Sequence, residues 1–217
     1  IKVGNPALRP QITNSYELGY KTNLKKGYFY SALYHRSTVG TITRIATQVP
    51  PGTLIYTVFQ NAGHSSNTGI ELVLQQNISK AFSFNTNVNI YRNIIDAFTV
   101  QNKYPVASTY TASNERFTSG NIKLNGIFHL PKKTDIQITS IYLAPDIIPQ
   151  GKIGTRFSVD MGIKKQIQKS KGELFFNASD IFNTLKIKKE INGNGFKLTS
   201  TDYYETQVFR LGYNYKF

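Results

Sequence analysis

The sequence predicts an all-β protein: an antiparallel up-and-down meander of about nine strands that is part of a larger transmembrane β-barrel. Three observations predict it. Apolar residues recur with a period of two, short and long connections alternate strictly, and several segments are longer than an ordinary soluble strand of about six residues.

The period is clearest in Phe82-Ser-Phe-Asn-Thr-Asn-Val-Asn-Ile90, where Phe82, Phe84, Val88 and Ile90 share one parity and Ser83, Asn85, Asn87 and Asn89 the other. A strand sends these two sets to opposite faces, whereas a helix would mix them. The same alternation marks Tyr16, Leu18 and Tyr20; Ile70, Leu72 and Leu74; Ile122, Leu124 and Phe128; Phe157, Val159, Met161 and Ile163; and Phe209, Leu211, Tyr213 and Tyr215. With the strand-like segments between them, the expected strands are 15–23, 28–43, 67–78, 82–95, 116–130, 134–144, 153–168, 173–183 and 202–217. In 28–43 the face is undecided, because Tyr28, Tyr30, Ala32 and Tyr34 compete with Phe29 and Leu33.

Four connections are tight: Leu24-Lys-Lys-Gly27, Ser79-Lys-Ala81, Leu130-Pro-Lys-Lys-Thr134 and Lys169-Ser-Lys-Gly172. Their turn-forming Gly, Ser and Pro fit hairpins. The others, 44–66, 96–115, 145–152 and 184–201, are long and polar and read as loops. In a meander this alternation puts every tight turn at one end and every loop at the other, the pattern of outer-membrane barrels. Segments 67–78, 116–130 and 153–168 reach the roughly 9–11 residues that cross a bilayer at a tilt. Tyr and Phe gather near strand ends, where interfacial girdles would lie.

Composition excludes more than it selects. In 217 residues there are 14 Tyr, 14 Phe and no Cys, which argues against disorder and excludes disulfides, thiolate metal sites and cysteine nucleophiles. No run of about 18 apolar residues could form a spanning helix. The chain begins at Ile1 without a leader-like segment, which reads as a mature piece or a fragment. Its net charge is +14, and seven lysines (Lys25, Lys26, Lys80, Lys132, Lys133, Lys169 and Lys171) sit in the tight turns. There they suit anionic headgroups or simply protect sheet edges. Lysines at hairpin tips do not make the aromatic-lined groove that tracks nucleic acid, so no nucleic-acid partner is expected.

No catalytic or cofactor motif stands out. His35, His64 and His129 lack metal-ligand spacing, Gly193-Asn-Gly195 has no strand-to-helix context, and neither a G-x-S-x-G elbow nor a phosphate loop occurs. The expectation is a protein that is not an enzyme and carries no cofactor or metal. Alternation alone leaves open a water-soluble antiparallel β domain that binds glycan or nucleic acid.

Four passages in order carry a family resemblance. Gly4-Asn-Pro-Ala-Leu-Arg-Pro-Gln11 followed by Asn14-Ser-Tyr-Glu-Leu-Gly-Tyr20 resembles the GNPxLKPE…SYELGY passage of TonB-dependent outer-membrane receptors, with Arg9 for Lys and Gln11 for Glu. Asn67-Thr-Gly-Ile-Glu-Leu72 is similar to their GxE(L/F) strand opening, and Asn177-Ala-Ser-Asp-Ile-Phe-Asn183 to their NxxNLFN penultimate strand. Phe209, Leu211, Tyr213, Tyr215 and Phe217 resemble the C-terminal signal read by the barrel-assembly machinery. The many Asn and Lys look like Bacteroidetes members.

The resemblance implies residues 1–217 as the last nine strands of a barrel of about 22, with plug and N-terminal strands upstream, since single-chain bacterial barrels have even strand numbers. It implies outer-membrane lipid, those missing strands and plug, the barrel-assembly machinery and, through the plug, the TonB system as partners. The cargo would be a scarce nutrient of the siderophore, vitamin or glycan class. Arg44, Tyr56, His64, Tyr104, Tyr110, Arg116, Asp146 and Tyr203 are then external-loop candidates for ligand, while Glu17, Lys21, Glu71, Lys123, Arg156, Asp160 and Lys164 would line the lumen and face the plug. A passive outer-membrane channel or assembly barrel would have a similar wall.

Overall fold

The computed structural model describes residues 2–48, 52, 54–103 and 107–217. In chain order the strands are β1 (Lys2–Val3), β2 (Ile12–Leu24), β3 (Gly27–Gln48), β4 (Ile55–Asn77), β5 (Phe82–Ile95), β6 (Phe98–Asn102), β7 (Ser108–Ala112) and β8 (Glu115–Leu130). They continue with β9 (Thr134–Leu143), β10 (Asp146–Ile148), β11 (Gly151–Ile153), β12 (Arg156–Ile167), β13 (Gly172–Ser179), β14 (Lys186–Gly193), β15 (Phe196–Tyr203) and β16 (Val208–Tyr215). The protein is all-β, with antiparallel sheets and, among the described residues, one 3-10 turn at Gln168–Ser170.

The wall is a meander in the order β2-β3-β4-β5-β8-β9-β12-β13-β16, each strand antiparallel to the next. These are the nine expected strands. The flanking strands β2 and β16 each pair on one side only among the described residues, and β1 adds a short parallel pairing to β4. Two smaller units, the hairpin β6-β7 and the sheet β10-β11-β14-β15, occupy the long connections.

Register shows why the alternation was so regular. Phe82, Phe128, Ile136, Ile163, Phe176 and Leu211 stand directly opposite one another across six strands, and Leu18, Leu33, Ile70 and Ile90 make a similar row across four. Opposed residues share a face, so every apolar set named above lies on one side of the wall. The other side carries rows such as Gln75-Asn85-Asn125-Thr139-Asp160. In β3 the choice falls on Phe29 and Leu33 for the apolar side; Tyr28, Tyr30, Ala32 and Tyr34 join the polar side.

The apolar side is open: Leu18 is 75% exposed, Leu124 47% and Leu211 79%. Phe84 and Val88 are half-buried by their neighbours in the same row, and Val159 is the buried exception. A continuous apolar surface of this extent is unfavourable in water by about 25 cal/mol per Å² and is stable against acyl chains. Along β5 it runs from Phe82 to Ile90, roughly 26 Å of strand at 3.3 Å per residue, or about 20 Å of height at a 45° tilt. Above it the same face turns polar with Arg92, opposite Thr68 and Thr118.

The long connections are not loops, which corrects the reading of 44–66, 96–115, 145–152 and 184–201. β3 runs on to Gln48 and β4 begins at Ile55, so the two form a tall hairpin that rises past the wall. At its waist Gly40 takes φ 68°, a left-handed conformation that favours glycine, and the ladder skips the pair Gly40–Gly63. Beyond it Ile45 and Ala62 pack with Ile95 on the polar side of the wall. The wall strands at the end of the chain are shorter than expected, with β12 starting at Arg156, β13 stopping at Ser179 and β16 spanning Val208–Tyr215.

Candidate functional site: a roofed polar face

The compact core lies over the polar face at the long-connection end. Ile45, Ala62, Ile95, Phe98, Val100, Ala112 and Ile147 cluster there, with Tyr110 and Phe117 packed against them. The β6-β7 hairpin and the β10-β11 ribbon therefore fold inward as a roof. The alternation of buried and exposed residues in Phe98-Thr-Val-Gln-Asn102 drives this, since its buried set has nowhere else to go.

Polar clamps fix the roof. Gln150, 4% exposed, accepts from the Ala46 backbone N–H at 2.6 Å and donates to the Ala46 carbonyl at 3.1 Å, a side chain acting as a strand partner. Buried Asn102 accepts from Gln60 at 2.7 Å and donates to Thr47 at 2.8 Å. Both satisfy the rule that buried polar groups find partners.

Between the tall hairpin and the β14-β15 sheet lies a cavity of about 540 Å³. Arg44, Phe59, Gln150, Lys189, Ser200 and Asp202 are among its lining residues. Lys189 pairs with Asp202 at 2.9 Å, and the Arg44 guanidinium sits 4.9 Å from the centre of the Phe59 ring. The cavity thus offers an aromatic face, both charges and amides, a set suited to a polar organic ligand. A second recess of about 470 Å³ lies on the polar wall, lined by Tyr34, Arg36, Asn67, Asn89, Tyr91 and Asn121 among others.

The expected loop residues separate into groups. Arg44 lines the cavity; Tyr56 is in β4 opposite Thr47. Tyr110 and Asp146 hold the roof: the Tyr110 hydroxyl donates to the Pro149 carbonyl at 3.3 Å, and Asp146 accepts from Tyr91 at 2.7 Å and Asn93 at 3.1 Å. Burial, then Glu115, pushes the Tyr110 hydroxyl above its ordinary pKa. His64 and Arg116 lie on the outward side of the wall, and Tyr203, half exposed, donates to Asn183 at 3.0 Å. Tyr104 lies outside the described residues. Phe59, Gln150, Lys189 and Asp202 were missed because no local pattern reveals which hairpins meet.

All seven lumen candidates fall on the polar side by register. Most are engaged within the wall. Glu17 accepts from Tyr30 at 2.7 Å, Lys21 lies 4.7 Å from the Tyr28 ring centre, Glu71 accepts from Asn87, and Lys164 pairs with Glu173 at 2.7 Å. Lys123 has no ion pair among the described residues, and the Nε of Arg156 is buried without a partner. Of the seven candidates, these two are cations left available to another group.

Asp160 serves the wall itself. It accepts the Asp180 backbone N–H at 2.8 Å where Asp180 turns into a left-handed conformation at φ 44°. Buried Asp180 in turn accepts from the N–H of Thr184 at 2.9 Å, the N–H of Leu185 at 3.1 Å and the Thr206 hydroxyl at 2.6 Å, tying together both ends of the β14-β15 excursion. Burial raises its pKa, but these hydrogen bonds outweigh it and leave the carboxyl below its ordinary value. The folded pKa being lower than the unfolded one, Asp180 stabilises fully above the ordinary carboxylate range and loses this contribution as pH falls through the folded value. Asp180→Asn is expected to cost about 2 kcal/mol at pH 7, since it removes a charge from hydrogen bonds of this kind. The loss should shrink as the pH falls below the ordinary carboxylate range, and denaturation at pH 7 and in acid checks it.

No curated protein and no solved structure matches the chain. A family model does, over residues 1–215, and it describes an outer membrane protein beta-barrel family. With its apolar face turned to lipid and its polar face roofed, the chain belongs to that family and resides in the outer membrane of a Gram-negative bacterium.

Proposed function

We propose that this chain is the wall and external recognition surface of a TonB-dependent receptor for a scarce nutrient of the siderophore, vitamin or glycan class. The roofed polar face carries the reading. Structured elements from three long connections close over the inner side and leave a lined cavity of about 540 Å³ at the end that faces outward in barrels of this design. A wall that recognises cargo needs such a cavity, whereas a passive pore works best with its mouth open. The four sequence passages similar to TonB-dependent receptors support the same reading, and Lys123 and Arg156 are among the cations a plug upstream would meet.

In this reading energy reaches the receptor through the plug, and the wall neither makes nor breaks a bond during uptake. The test uses the whole protein in its own bacterium. Deleting the gene should abolish uptake of one of three cargoes offered at nanomolar concentration: a ferric siderophore, cobalamin or an oligosaccharide. A protonophore should stop the uptake restored by complementation, and Lys189→Ala with Asp202→Ala should weaken it by about tenfold, the value of one good polar contact. Uptake that continues in the presence of the protonophore would establish a passive channel instead.

A further inference from the structure

On the outward side of the wall, three residues from separate strands meet in a line. The Ser37 Oγ lies 2.8 Å from His64 Nε2, and His64 Nδ1 lies 2.7 Å from Asp96 Oδ2. Ser37 is in β3, His64 in β4, and Asp96 directly follows β5. Asp96 is held in turn, because Asn114 donates to its Oδ1 at 3.1 Å and the Nε of Arg116 donates to Asn114 at 3.1 Å. The Asp96 backbone N–H also donates to the His64 carbonyl at 3.0 Å, which fixes imidazole and carboxylate relative to each other.

The geometry points to a serine hydrolase site of the Ser-His-Asp type, acting on carboxylic esters of lipids at the outer edge of the apolar belt. Each nitrogen of His64 faces the partner that the chemistry requires. The carboxylate takes the Nδ1 proton and so sets the tautomer with a lone pair on Nε2, aimed at the Ser37 hydroxyl. Oxyanion donors are at hand in the ladder. Asn14 of β2 and Ser66 of β4 stand opposite Ser37 on its two sides and on the same face, within the roughly 5 Å of cross-strand neighbours. The Asn14 amide makes no hydrogen bond among the described residues and is exposed.

The location selects the substrate. Ser37 is four residues beyond Leu33 on the same face of β3, and its row, Asn14-Ser37-Ser66-Ile94, lies past the polar row Tyr16-His35-Thr68-Arg92 that follows Leu18-Leu33-Ile70-Ile90, with Ile12 and Val39 one row further out. That is the height at which headgroups give way to acyl chains, and so the height of an ester bond in a lipid. His64 and Asp96 keep side-chain exposures of 39% and 45%, open to the side from which lipid would come.

The reaction balances with water alone. Ser37 Oγ attacks the ester carbonyl as His64 Nε2 takes its proton, and the alcohol leaves with that proton. Water then attacks the acyl-serine carbonyl, giving its proton to His64, and the fatty acid departs as Ser37 recovers its hydrogen. This goes beyond the uptake reading and does not depend on it, since the assay needs neither cells nor energy.

The test takes the full-length protein purified in detergent, with its heat-dependent gel mobility confirming the folded barrel. A fluorophosphonate probe should label it, and mass spectrometry should place the label on Ser37. Fatty acid release from detergent-dispersed phospholipid should fall at least about a hundredfold in Ser37→Ala, His64→Gln and Asp96→Asn, the scale of a lost acid–base group. Should Ser37→Ala fail to give a folded barrel, the site of labelling in the unaltered protein and the other two variants still decide. Absence of label on the folded protein, label on another residue, or lipid release untouched by the variants would overturn the inference and leave the three residues as a strap between strands.

Discussion

Replacing Leu124 by arginine is expected to destabilise the folded wall by about 2–4 kcal/mol in a bilayer, while arginine at the next residue, Asn125, is expected to cost less than about 1 kcal/mol. The two positions are adjacent in β8 and differ only in face. Leu124 stands between Thr86 and Ser140 on the outward side, 47% exposed, with apolar rows above and below. A guanidinium there must be drawn into hydrocarbon or pull water toward itself. Asn125 stands between Asn85 and Thr139 on the polar side, where it accepts from Gln137 at 2.8 Å and from Thr139 at 2.9 Å. Arginine loses those bonds but keeps its hydration. Urea unfolding of the full-length protein from lipid vesicles measures both. Equal costs would mean that the two sides meet the same medium, and the assignment of lipid and lumen would fail.

That contrast could be written from the sequence because β5 alternates without interruption from Phe82 to Ile90. Phe82–Ile95 came out with the expected bounds, and its apolar and Asn-bearing positions keep their parity from Phe82 to Ile90, before Tyr91 and Arg92 reverse it. β3 resisted, as both parities of Tyr28–Tyr34 are apolar by composition. What separates them is the hydroxyl: Tyr30 reaches Glu17 and Tyr34 reaches Asn89 at 2.9 Å, contacts that depend on the neighbouring strands. The start of β4 was hidden for a different reason. Gln60, Asn61, Gly63, Ser65 and Ser66 have the composition of a loop, but β3 supplies a partner strand of matching length. The roof was only partly legible. Lys186–Gly193 alternates like a strand, yet nothing local tells where its hairpin docks. The Ser37-His64-Asp96 line was hidden in the same way, its members being tens of residues apart and joined only by register.

Gly69→Val is expected to destabilise the polar side of the wall by on the order of 3 kcal/mol, from overpacking and two weakened hydrogen bonds. Gly69 stands in one row between Tyr34 and Tyr91, and both side chains close over it. A Cβ there would come within 2.7 Å of the Tyr34 hydroxyl oxygen and the Tyr91 Cβ, and within 2.6 Å of the Ile90 carbonyl oxygen. The rings cannot retreat freely, because Tyr34 donates to Asn89 and Tyr91 donates to Asp146, the first residue of β10. Displacing Tyr91 therefore loosens the roof from the wall as well as straining β4. This gives the glycine of the Asn67-Thr-Gly-Ile-Glu-Leu72 passage a physical reason: the wall must be thin where two tyrosines cross it. The consequence is spatial as well as energetic. Hydrogen exchange of Gly69→Val should quicken at Ile147 and Ile148, far along the chain, while the tight turns at the opposite end of the wall exchange as before. Acceleration confined to β4 and β5 would show that the tyrosines do not couple wall to roof.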